Sequence, residues 1–174
     1  MVSIYTWVFK EKYPRLLIEG LKLLGIKEVP GQSDNIEILK WAESFGLEKV
    51  YKKDDIPWCG LFVAYACHKA GIEVVASPLW ARNWAKFGTK QTVAMLGDIL
   101  VFVRNGGGHV GIYVGEDTTC YHVLGGNQSD MVCITRIRKE RCLAIRRTKW
   151  KVVQPKNIRV IKLQATGAVS VNES

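Results

Sequence analysis

The chain has 174 residues, 48% of them hydrophobic, with six Trp and a net charge of +9. That length accommodates one domain able to bury a core without disulfides or metals, and the composition excludes disordered and fibrous classes. The five cysteines (Cys59, Cys67, Cys120, Cys133, Cys142) are odd in number, form no CxxC pair and sit mostly in apolar runs. Reduced thiols made in a reducing cytoplasm are therefore expected, not a disulfide scaffold. The opening residues lack the basic flank and small-residue cleavage site of a signal peptide, and no run approaches the roughly 18 apolar residues of a membrane span. A target outside the membrane would then need another delivery route.

The charge is uneven. Residues 136–162 hold eleven Lys and Arg, from Arg136 to Lys162, against Glu140 alone, a local charge of +10 that leaves the rest of the chain at −1. Such a stretch suits an anionic partner such as wall polymer, lipid headgroup or nucleic acid, and equally describes a solvated face of strands.

In chain order, a helix is expected from Tyr13 to Leu24, with Leu16, Leu17, Leu21 and Leu24 on one face and Gly25 as its stop. Pro30-Gly31 makes a turn, and a second helix begins near Asp34, where Asp34 and Glu37 have capping-box spacing. The segment WCGLFVAYACHKAG at 58–71 is apolar nearly all round, the pattern of a buried helix. From residue 97 the texture changes to short β-type runs at 97–103, 109–115, 120–126, 131–137, 142–147 and 158–163. The expectation is an α+β domain over 1–165, its helices packed on a five- to six-stranded antiparallel sheet or open barrel, followed by a flexible tail at 166–174.

Cys59 falls in the first turn of the buried helix, where free N–H groups and the macrodipole favour an anion. A thiolate there can act as a nucleophile, and the same N–H groups can hold an oxyanion. By position alone Cys59 also fits a small core residue, as Cys67 does. His109 follows Gly106-Gly107-Gly108 and opens an apolar strand, a place from which an imidazole can reach a thiol, although a loop histidine needs no function.

WCGLFVAYACHKAG, GDILVFV and GHVGIYVG, in that order, resemble the NlpC and CHAP families of papain-like peptidoglycan hydrolases. VPGQSDN (29–35), WARNW (80–84) and YHVLGGNQSD (121–130) are similar to a phage- and prophage-associated branch carrying an LGGNQ signature, and the likeness spans about residues 25–135. The resemblance implies a sheet packed on the nucleophile helix, Cys59 as nucleophile and His109 as base. It places the imidazole-orienting residue at His122, as in NlpC enzymes, or at Asn127, as in CHAP enzymes. Asn127 is the expected choice with Gln128 as a neighbouring donor, while Trp58 and Asp55 are expected to shape the substrate wall and oxyanion side, Asp55 alternatively capping the helix.

The activity so implied is a cysteine-dependent endopeptidase or N-acetylmuramoyl-L-alanine amidase acting on peptidoglycan without cofactor or metal. It would act as a monomeric phage endolysin or as a secreted antibacterial effector. The partners are peptidoglycan and, through residues 136–162, anionic wall polymer. A zinc site at Cys120, His122 and Cys133 matches no standard spacing, and no helix-turn-helix, RNP or KH signature supports nucleic-acid binding. An acyltransferase on the same scaffold differs only in the final acceptor.

Overall fold

Three α-helices form in the first half of the chain, each ended by a local device. The computed structural model describes residues 3–12, 14–31, 33–150, 153–171 and 173. Helix α1, Arg15–Leu21, is entered from extended Pro14 and is shorter than the expected 13–24. Tyr13 lies outside the described residues, and Leu24 falls in the turn closed by Gly25 at φ +87°, whose N–H donates to the Val132 carbonyl at 2.9 Å. Helix α2, Ile36–Glu43, is capped by Asn35, whose Oδ1 accepts from the Glu37 N–H at 2.9 Å. Asp34 is not the cap; its Oδ1 accepts from the Asp54 N–H.

Helix α3, Cys59–Ala70, is buried along almost its whole length and stops at Gly71, which adopts the left-handed conformation at φ +70°. Its N-terminus has no side-chain cap, and Asp55, one of the expected caps, is exposed. The preceding residue is the structural one. Buried Asp54 accepts from the Val29 and Asn35 N–H groups at 2.9 and 2.8 Å, stapling the 29–35 loop to the approach of α3.

Seven strands form one sheet: β1 Thr89–Gln91, β2 Ile99–Arg104, β3 Gly107–Glu116, β4 Cys120–Gly125, β5 Cys133–Arg138, β6 Cys142–Arg147 and β7 Val169–Ser170, in the spatial order β1-β6-β2-β3-β4-β5-β7. The α+β class agrees with the sequence reading, but the strand count and direction differ. β1 and β7 were not expected, and β7 runs parallel to β5, so the sheet is mixed. The run at 158–163 contributes only a single bridge, Lys162 to Glu116. Its apolar residues serve anchoring instead: Ile158 and Ile161 are buried, and Leu163 lies so close to Gly115 that a Cβ there would meet its Cδ1 at 2.5 Å.

The connection from β5 to β6 dictates the shape of the sheet. In a flat sheet these strands would lie four spacings apart, about 19 Å, whereas the four peptide steps from Arg138 to Cys142 reach at most about 14 Å. The sheet therefore curls, bringing β5 round toward β6. The expected loose tail crosses this seam: Val169 and Ser170 pair with Arg136 and Ile137, and Glu173 is 1% exposed.

Helix α3 packs against α1 and β3, and α1 reaches the β3–β4 junction at Gly20, where a Cβ would meet Ile112, Leu124 and Phe62 at 3.1–3.3 Å. Among the described residues no helix is long and apolar enough to cross a membrane. At Gly60 an added Cβ would stand 2.2 Å from the Pro78 carbonyl oxygen. Gly60→Ala is expected to destabilise the fold by roughly 1–3 kcal/mol, because the contact is with backbone that cannot rotate away. Urea unfolding checks this, and an unchanged midpoint would contradict the packing described.

Candidate functional site

Two glycine-dependent contacts set the positions of the start of α3, which carries Cys59, and the start of β3, which carries His109. Gly60 lets the start of α3 press against the Pro78–Leu79 backbone, and Gly108 lets the start of β3 pass Arg82, whose Cγ would lie 2.9 Å from a Cβ at that position. Arg82 also donates from Nε and Nη2 to the Gly107 carbonyl at 3.1 and 2.6 Å, fixing the strand just before His109. Cys59 then sits where the backbone N–H groups of Val110, the residue after His109, and of Cys59 and Gly60 at the helix start favour its thiolate.

On its far side, His109 Nε2 is 3.0 Å from Gln128 Oε1. The Gln128 amide cannot be turned over, because its NH₂ donates to the Val123 and Cys133 carbonyls at 3.2 and 2.6 Å. Oε1 is therefore an acceptor, and the neutral imidazole carries its proton on Nε2, leaving the Nδ1 lone pair free as a base. Gly125 is needed here, since a Cβ would meet Gln128 Oε1 at 2.7 Å and His109 Nε2 at 3.1 Å.

The structure thus places Gln128, not Asn127 or His122, on the imidazole. The hairpin register explains it. The β3–β4 turn lies at 117–119 and a bulge shifts the pairing, so His122 faces Gly115, six residues or roughly 20 Å along β3 from His109. His122 belongs to a separate buried cluster: Nε2 donates to Asp117 Oδ2 at 3.0 Å, and the Tyr5 hydroxyl donates to Nδ1 at 2.6 Å. Arg136 donates to the same Asp117 oxygen at 2.8 Å. Burial pushes the Asp117 carboxyl up, but Arg136 and the N–H groups of Thr119 and Cys120 outweigh it and hold the carboxyl below its usual range. Asn127 is in the left-handed region at φ +53°, and among the described residues its buried Oδ1 has no hydrogen-bond partner. That kink turns Gln128 inward.

Trp58 is likewise not a substrate wall. It is fully buried, donates from Nε1 to Glu28 at 2.6 Å, and packs edge-on against Trp41. A Cβ at Gly126 would meet its ring at 2.6 Å, so Trp58 supports the loop that presents Gln128. Asp55 is exposed and Asp54 does the buried work nearby. The basic stretch is largely engaged internally: Arg136, Lys139, Arg141, Arg147, Arg159 and Lys162 each reach a carboxylate, and Arg146 donates to the Phe87 and Gly88 carbonyls. Lys151 lies outside the described residues.

Burial decides the resting protonation. It pushes the Cys59 thiol up, against the opposing pull of the Val110 N–H, Arg104 and the helix-start N–H groups. It pulls His109 down to about 4, against the opposing effects of Glu173 and Gln128, while Arg104 and Arg141 push it further down. The helix N-terminus favours the thiolate as expected, but desolvation is the larger effect, so the resting pair is a neutral thiol and a neutral imidazole. Arg104 and Glu173 carry no local motif that marks them, and WARNW by itself gives Arg82 no role; only the fold brings them here.

No protein-family model matches the chain, and no curated protein matches it; the chemistry is read from the geometry. A buried histidine whose folded pKa lies near 4 adds stability above its ordinary value of 6.5, and that contribution is lost as pH falls toward the folded value. His109 should thus remove on the order of 2 kcal/mol between pH 7 and pH 5. His122, lowered first by its own burial, acts in the same direction. In urea titrations at both pH values, His109→Gln is expected to shrink the drop; an undiminished drop would contradict a buried neutral imidazole.

Proposed function

We propose that this chain is a cysteine-dependent amidohydrolase of the papain-like NlpC/CHAP type that cuts peptidoglycan amide bonds, as an endopeptidase or an N-acetylmuramoyl-L-alanine amidase. One observation carries the reading: Cys59 stands at the start of a buried helix where the N–H of Val110, next to His109, favours its thiolate, and Nε2 of His109 is held by an amide that cannot flip. A core cysteine such as Cys67 has none of this around it; burial alone accounts for its raised thiol. The likeness of WCGLFVAYACHKAG, GHVGIYVG and LGGNQ to wall hydrolases supplies the substrate class, and the phage-associated branch supports a role as an endolysin. The net charge of +9 suits an anionic wall.

In the mechanism, His109 Nδ1 takes the Cys59 proton as the sulfur attacks the amide carbon. The N–H groups of Cys59 and Gly60, at the uncapped start of α3, are the proposed donors to the oxyanion. The C–N bond then breaks, and the imidazolium gives its proton to the departing amine, leaving a thioester on Cys59. His109 next deprotonates a water, which attacks the thioester and restores the thiol. Because the resting pair is neutral, proton transfer accompanies attack and no ion pair precedes it.

Gln128 keeps the imidazole in the tautomer this sequence needs. Gln128→Ala is expected to lower turnover of purified wall roughly 10- to 1000-fold, more than Asn127→Ala or His122→Ala in folded protein. Cys59→Ala is expected to abolish turnover with the fold retained, as read by turbidity loss and circular dichroism, and full activity in that variant would sink the reading. Mass spectrometry of the released fragments identifies the bond.

A further inference from the structure

We propose that Glu173 is a positioning residue of this site: held by Arg141 across the seam of the curled sheet, its buried carboxylate stabilises the imidazolium that His109 forms on taking the Cys59 proton. The inference rests on the reading of Cys59 and His109 as nucleophile and base, and adds a group from outside the stretch that resembles known hydrolases.

The geometry begins with the strap. Arg136 Nη1 donates to the Gly167 carbonyl at 2.8 Å, β7 pairs with β5, and Arg141 Nη1 donates to the Ser170 carbonyl at 3.3 Å. Three residues on, both Glu173 carboxylate oxygens are forked onto Arg141 at 2.8 and 2.7 Å. Arg141 is itself tied to the site strand, its Nε donating to the Val103 carbonyl at 3.1 Å. Val103 follows Phe102, which lies opposite His109 in the β2–β3 ladder with ring centroids 6.4 Å apart. The strap therefore ends at the same end of the sheet as the imidazole.

A carboxylate this deeply buried is costly unless it is paired, and Arg141 supplies the pairing. The charged groups whose fields act on His109 are Arg104 at the end of β2, Arg141 before β6 and Glu173 from the strap, beside the Gln128 amide. As the proton moves from Cys59 to His109 during attack, Arg104 favours negative charge developing on the sulfur but opposes the imidazolium, and Arg141 opposes it as well. Glu173 offsets both: it neutralises Arg141 and its field favours the cation. In a buried site a fixed charge of this kind acts strongly on charge that develops during reaction.

A strap that merely pinned the chain would not change the titration of His109, and this separates the two roles. The full chain, labelled in its imidazoles, is titrated by NMR as wild type, Glu173→Gln, and Arg141→Gln/Glu173→Gln. The double variant leaves no lone buried charge and keeps the test open should the single variant fail to fold. The His109 midpoint is expected about half a pH unit or more lower in Glu173→Gln, with the double variant between it and wild type. An unchanged midpoint in folded Glu173→Gln, or in the double variant if only that folds, overturns the proposal. The titration uses no substrate, so it fails or succeeds separately from the hydrolase reading, which falls on the activity of Cys59→Ala.

Discussion

The site depends on an amide that is held in one orientation. Gln128 commits both N–H groups to carbonyls, Val123 in β4 and Cys133 in β5, and so offers only its oxygen to His109. From this follow the tautomer of the imidazole, the unprotonated Nδ1, and the absence of side chains at Gly125 and Gly126, either of which would strike the site or its support. Phe62 of α3 and Trp58 just before it brace the same loop at Gly126.

Burial sets the second constraint. The helix start, Arg104 and three N–H groups all favour a thiolate, yet removing the sulfur and the imidazole from water counts for more. The charges around the pair are then best understood as acting on the state with the proton transferred rather than on the resting state. This places weight on residues remote in sequence, Arg104, Arg141 and Glu173, that no local pattern singles out. It also explains why much of the basic stretch faces inward: Arg136, Arg141, Arg146 and Arg147 stitch the sheet together, so their number in the sequence overstates the free positive surface.

What the sequence made legible were features with a short period or a local device. Helix α3 announces itself by its apolar run and Gly71, and strands β2 to β6 by their alternation between turns. Cys59 and His109 stand out by their places at a helix start and after a glycine run. What stayed hidden required register or distance. A count back from the hairpin turn puts His122 level with Gly115 and leaves the vicinity of 127–128 opposite His109, but the bulge and the left-handed Asn127 decide which of the two residues turns inward. Trp58 reads as part of a substrate wall because it adjoins Cys59, whereas its partners Glu28 and Trp41 are supplied by the fold. The parallel pairing of β7 and the burial of Glu173 are long-range contacts of a segment whose polar composition suggests a loose tail.

The central claim, that Cys59 attacks with His109 as base, is tested most directly by trapping the intermediate. Acid quenching during turnover of soluble muropeptides, followed by mass spectrometry of the Cys59 peptide, should show an added acyl group that hydroxylamine removes. Hydrolysis that proceeds with Cys59 unmodified throughout, and persists after that thiol has been alkylated, would contradict the account.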